Sequence, residues 1–178
     1  MQQIAAVATA EELSWQQPSA MRRVYELRAR DAPVATLSFR SDWGSLATAE
    51  SADGCWTFKR VGFWQSRVTV RRCGSAEDLA TFQHNTWTGG GTLTRADGLA
   101  YHLTTNTWQT RLTVLDAQQL PLLHYDSKGW FKLKAALTVE PQALANPDLP
   151  WLTMFGWYVI IMMHADAATT TAAVTAAT

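Results

Sequence analysis

Between Met21 and Pro141 apolar and polar residues alternate in runs of four to nine, and turn-forming residues separate the runs. A period of two is the signature of strands with one face in a core and one in water. The pattern predicts strands at about 23–30, 34–40, 45–52, 55–61, 66–72, 79–86, 92–95, 99–105, 108–116, 120–125 and 130–139. Arg30-Asp31-Ala32-Pro33, Asp53-Gly54, Thr88 to Gly91, Asp97-Gly98 and Asp126-Ser127-Lys128-Gly129 supply turn chemistry between them. Eleven short strands at a spacing of roughly eight to twelve residues read as an all-β barrel or sandwich. Ahead of them, Ala5 to Leu13 reads as a short helix and Pro18 ends it.

After the strands the period changes. Asn146-Pro147-Asp148 is a helix start, with a capping side chain and a proline in the first turn. Leu149 to Met163 follows, fifteen residues without a charge. A surface helix has a polar face, and this one has none, so it is expected to be buried on every side. In a chain of strands only a closed barrel surrounds a helix. An eight-stranded barrel is filled by its own side chains, so eleven or twelve strands are needed. The rival is a helix that lies on a membrane or dimerises. As a span it reaches ~22 Å against a hydrocarbon core of ~30 Å. Gly156 suits enclosure, because a small residue lets a crowded wall approach. The expected fold is therefore all-β, a closed antiparallel barrel of about 12 strands enclosing an apolar C-terminal α-helix. Residues 1–20 read as an N-terminal extension, 21–165 as one barrel domain, and 166–178 as a low-complexity Ala/Thr tail that frays.

Composition changes the picture in three ways. The 178 residues are 47% hydrophobic and 17% charged, enough for a large core. Fifteen cations and fifteen acids cancel, which argues against nucleic acid as a partner. Nothing from Met1 to Ala10 resembles a secretory signal, so a cytoplasmic location is expected, either free or peripheral to a membrane.

With Thr92-Leu93, Asp97-Gly98-Leu99-Ala100-Tyr101, Trp108, Arg111 to Asp116 and Leu149 to Met163 in this order, residues 21–165 resemble the tubby C-terminal-like superfamily. That group includes tubby domains, phospholipid scramblases and plant LURP-one-related proteins. The resemblance implies the barrel around a helix, and lipid binding as an expectation. The proline-rich segment, cysteine-rich stretch and acidic calcium segment of scramblases are missing, and no site residue carries over from the family.

Little reads as catalysis. His84, His102, His124 and His164 lack metal-ligand spacing, so no metal is expected. Gly89-Gly90-Gly91 has no Lys-Ser/Thr after it and reads as a flexible hairpin turn. No Gly-x-Ser-x-Gly elbow is present. No cofactor is implied, and a helix that fills the lumen leaves little room for substrate, so a non-enzymatic protein is expected.

One charge cluster stands out. Lys59, Arg60, Arg67, Arg71 and Arg72 lie within fourteen residues that hold no acid. Alternation sends Trp56, Phe58, Val68 and Val70 to the core and puts Lys59, Arg67 and Arg71 on one outer face. Such a face suits a phosphate or an anionic lipid headgroup. Phe63 and Trp64 at the tip suit a membrane interface. The bland reading is a solvated face balanced by acids on neighbouring strands. The leading function is thus a binding protein for anionic lipid or a phosphorylated ligand, through Lys59, Arg60, Arg67, Arg71, Arg72 and Trp64. The alternative is a structural or protein-interaction domain without a lipid role. A turn near residues 63–64 also sets Cys55 opposite Cys73. In a reducing cytoplasm these are expected as two free thiols in proximity.

Overall fold

The computed structural model describes residues 2–62, 67–85, 90–128 and 133–176, with side chains as far as residue 168. The hairpin tip with Phe63 and Trp64 lies outside the described residues. Twelve strands form one closed antiparallel barrel. They are β1 (Leu13–Gln16), β2 (Val24–Ala29), β3 (Ala32–Phe39), β4 (Ala47–Ser51), β5 (Gly54–Val61), β6 (Arg67–Arg72), β7 (Ala80–Asn85), β8 (Gly90–Arg95), β9 (Ala100–Thr105), β10 (Arg111–Leu115), β11 (Pro121–Lys128) and β12 (Lys134–Val139). Each pairs with its neighbours in the chain, and β1 closes the ring against β12 from Leu13↔Leu137 to Gln16↔Lys134. The architecture fits a tubby-like fold.

All eleven strands that alternation predicts are present. The twelfth, β1, lies inside the stretch expected to be an extension. Its four residues give only two inward positions, Leu13 and Trp15, too few to register as a period. The expected helix over Ala5 to Leu13 is correspondingly short, α1 (Ile4–Ala8), with Ile4 and Val7 buried. Closure explains why so short a strand is kept. It removes the two exposed edges that eleven strands would leave.

The C-terminal helix, α2 (Leu149–Ala176), threads the barrel. Every residue from Trp151 to Met162 is buried. Trp157 stacks on Trp15 with ring centroids 5.5 Å apart. Phe155 meets Phe58 and Phe82 edge-on, and Tyr158 stacks on Phe39. Gly156 is where the wall comes closest: a Cβ there would lie 2.6 Å from the Tyr125 ring. The Tyr125 hydroxyl donates to the Thr153 carbonyl at 2.7 Å, so the wall is bonded to the helix backbone beside that glycine. The helix also continues through the Ala/Thr segment expected to fray.

The helix gives the barrel two unlike ends. At the base, where α2 starts, Asp148 is buried and accepts from Arg95 Nη1 (2.5 Å), the Tyr101 hydroxyl (2.7 Å) and Trp151 Nε1 (3.0 Å). At the rim, where α2 leaves, Asp166 meets the end of β5. Among the described residues no helix is long and apolar enough to cross a membrane.

Candidate functional site

The β5–β6 hairpin pairs Trp56↔Arg72, Phe58↔Val70, Lys59↔Thr69 and Val61↔Arg67. Trp56, Phe58, Val68 and Val70 are buried, so their odd-even partners fix the outer face. Lys59 sits opposite Thr69, with Arg67 and Arg71 as its diagonal neighbours on that face. Diagonal pairs of this kind lie ~7–8 Å apart, within reach of long side chains. Lys59 and Arg67 are exposed and have no carboxylate partner among the described residues. Arg71 differs: its Nε donates to Asp78 Oδ1 at 2.6 Å.

The other predicted site residues lie elsewhere. Arg60 shares the parity of Trp56 and Phe58 and turns inward at the rim. Its two terminal nitrogens donate to the Asp166 carboxylate at 2.9 and 2.8 Å, which raises the Arg60 pKa. Arg72 has the same inward parity but sits at the other end, exposed beside the base. Trp64 is outside the described residues. The hairpin therefore brings together Lys59, Arg67 and Arg71, and separates Arg60 and Arg72 from them by the wall.

Behind the Arg60–Asp166 pair is a cavity of about 60 Å³ lined by Val68, Phe82, His84, Tyr158 and Met162. Burial, and then the charge of Arg60, lower the His84 pKa. The Tyr158 hydroxyl donates to the Ser45 carbonyl at 2.7 Å, and burial pushes its pKa up to about 12. The space suits a water or two; ligand pockets run to ~300–1,000 Å³. A more open recess of about 490 Å³ lies between Trp108, Lys128 and His164, where the helix emerges.

Three expectations need correction. Cys55 and Cys73 are joined in a disulfide, with Cα atoms 5.4 Å apart, instead of standing as free thiols. The register brings them directly opposite, with the Cys73 N–H donating to the Cys55 carbonyl at 3.0 Å, and that separation is the usual one for a bridge. Gly90 and Gly91 belong to β8, not to a flexible turn. A Cβ on Gly90 would fall 2.0 Å from the Leu103 carbonyl oxygen, so the glycine serves strand contact. Trp108, expected to open a strand, stands in the connection before β10 and is 83% exposed.

Of the histidines, His124 faces Glu140 at 3.4 Å and shares a hydrogen bond with Thr113, while His102 faces Thr92. Among the described residues no group of three or more His, Cys, Asp or Glu side chains is placed to hold a metal. Asp166 carries no local signal in the sequence, because it pairs across 106 positions. The inward turn of Arg60 was legible, since 56, 58 and 60 share a face. Comparison of the chain with family models, curated proteins and solved structures finds no match.

Proposed function

We propose that the protein is a non-enzymatic binding module of the tubby-like type that holds an anionic headgroup, or the same phosphate chemistry in a soluble ligand, on the outer face of β5–β6. The observation that carries this reading is the contrast in pairing. Arg60 and Arg71 are each taken by a carboxylate, while Lys59 and Arg67 point outward on one face without one among the described residues. Two cations a diagonal apart offer charge and several donors to a phosphate. The lumen is filled by Trp151 to Met162, which supports binding over catalysis.

The disulfide weighs toward an oxidising compartment, because such bridges are rare where glutathione keeps thiols reduced. Peripheral attachment to a membrane in such a compartment fits both features. The Arg71–Asp78 pair favours a second reading, a protein-interaction wall whose charges are largely balanced within the chain.

Flotation with phosphatidylserine-containing vesicles separates the two. Salt-sensitive binding that Lys59→Ser/Arg67→Ser removes supports the first reading. Equal binding by that variant discards it. Competition by inositol phosphates in solution distinguishes a soluble phosphate ligand from the bilayer itself.

A further inference from the structure

The connections between strands sort into two chemically different sets. At the base, residues 30–31, 52–53, 73–79, 96–99 and 116–120 contain Asp31, Asp53, Glu77, Asp78, Asp97 and Asp116 against one cation, Arg30, and no tryptophan. At the rim, the described residues 17–23, 40–46, 62, 106–110 and 133 contain a single acid, Asp42, against Arg22, Arg23 and Arg40. The same described stretches hold Trp43 and Trp108.

The described rim residues carry the geometry. Trp43 is 101% exposed, Met21 92% and Trp108 83%, the three most exposed large apolar side chains described. Their loops are fastened. Arg23 lies 3.8 Å over the Phe39 ring, and its Nη1 donates to the carbonyls of Ser41, Asp42 and Gly44, so it grips the turn that holds Trp43 out. Asn106 accepts from the N–H groups of Thr110 and Arg111 and donates to the Thr110 hydroxyl, closing the turn that bears Trp108.

Their placement points to the occupant. The β3–β4 and β9–β10 connections are six strands apart in a ring of twelve, on opposite sides of the rim. Strands ~4.8 Å apart and tilted by ~40° close such a ring at roughly 24 Å across. A peptide groove gathers its aromatics in one place, whereas a fluid surface meets all sides of a rim at once and yields to the α2 residues that continue past it to Ala176. Tryptophan concentrates at membrane–water interfaces, and an anionic leaflet attracts the rim's cations and repels the base's carboxylates. Lys59 and Arg67 stand on the wall next to the rim, since Val61↔Arg67 is the last pair before it. We infer that the rim is a membrane-docking surface, with Trp43 and Trp108 seated in the interfacial layer of a bilayer and the base turned away. In its choice of a lipid surface the inference rests on the proposed function; its residues are different.

The test is flotation of the full chain with vesicles of phosphatidylcholine alone and of phosphatidylcholine with phosphatidylserine. Trp43→Ser/Trp108→Ser is compared with Lys59→Ser/Arg67→Ser, and circular dichroism checks that both are folded. The tryptophan pair is expected to lower partitioning on both vesicle types, roughly a hundredfold from the apolar area withdrawn. The cation pair is expected to remove only the increment that phosphatidylserine adds. Unchanged binding by the tryptophan variant overturns the docking mode and leaves the charge reading intact. Unchanged binding by the cation variant does the reverse. If wild type floats with neither vesicle, both readings fall. A concentration-dependent dimer that the tryptophan variant loses would then assign the rim to a second copy of this chain.

Discussion

Gly156 shows how closely the wall and the helix constrain each other. Adding one carbon to it drives the Tyr125 ring away from the helix and strains its bond to Thr153. Gly156→Ala is expected to cost about 1–3 kcal/mol, as overpacked cores do. A urea midpoint equal to wild type would show that the wall gives way freely. Asp148 is a second such point. It neutralises Arg95 and satisfies the Tyr101 hydroxyl and Trp151 Nε1 in one buried site. Asp148→Leu takes the buried acceptor from Arg95 Nη1 and Trp151 Nε1 and should lower the melting temperature more than Asp97→Leu, which removes only the exposed partner of Arg95. Tyrosines give the molecule a pH signature. Burial pushes the pKa of Tyr101 and Tyr158 up to about 12 and that of Tyr125 well above 10. An unfolded tyrosine ionises near ~10. Stability from these groups is therefore complete below about pH 10 and falls as pH rises through 12. Phenolate absorbance that appears together with loss of near-ultraviolet dichroism would bear this out. Ionisation near pH 10 in a chain that stays folded would contradict the burial.

At the scale of elements, legibility followed period and length. Strands of five to eight residues announce themselves by alternation, as β5 does with Trp56 and Phe58 inward and Thr57 and Lys59 outward. β1 does not, because four residues carry too little pattern, although Trp15 packs against Trp157 at the centre of the core. The apolar helix was legible because an absent polar face is a strong signal over fifteen positions. The candidate site was legible only in part. Parity on β5 and β6 assigns faces to the cations, yet the carboxylates that occupy Arg60 and Arg71 come from α2 and from the turn after β6. The exposed tryptophans are hidden from a pattern reading that treats large aromatics as core. Their turn context, Ser41-Asp42-Trp43-Gly44 and Asn106-Thr107-Trp108, is the signal that finds them. The disulfide belongs to this scale as well. It closes an 18-residue separation across β5 and β6. Cys55→Ser/Cys73→Ser should lower unfolding free energy by about 3 kcal/mol, the loop entropy of such a cross-link. A denaturation midpoint indifferent to reducing agent would show that the thiols are not bridged in solution.

The whole molecule is a polar object in the directional sense. An apolar helix fills the barrel and leaves it at one end only. Carboxylates crowd the other end. Cations and exposed tryptophans stand around the exit. Side-on binding through the β5–β6 wall alone would use little of this asymmetry, whereas end-on docking uses all of it and still brings Lys59 and Arg67 near the headgroups. Hydrogen–deuterium exchange of the full chain, with and without phosphatidylserine-containing vesicles, tests that orientation directly. Amides of residues 40–46 and 106–110 should gain protection on the vesicles, while those of 73–79 and 116–120 exchange as they do in solution. Protection at the base connections, or along β5 and β6 with the rim unprotected, would contradict it.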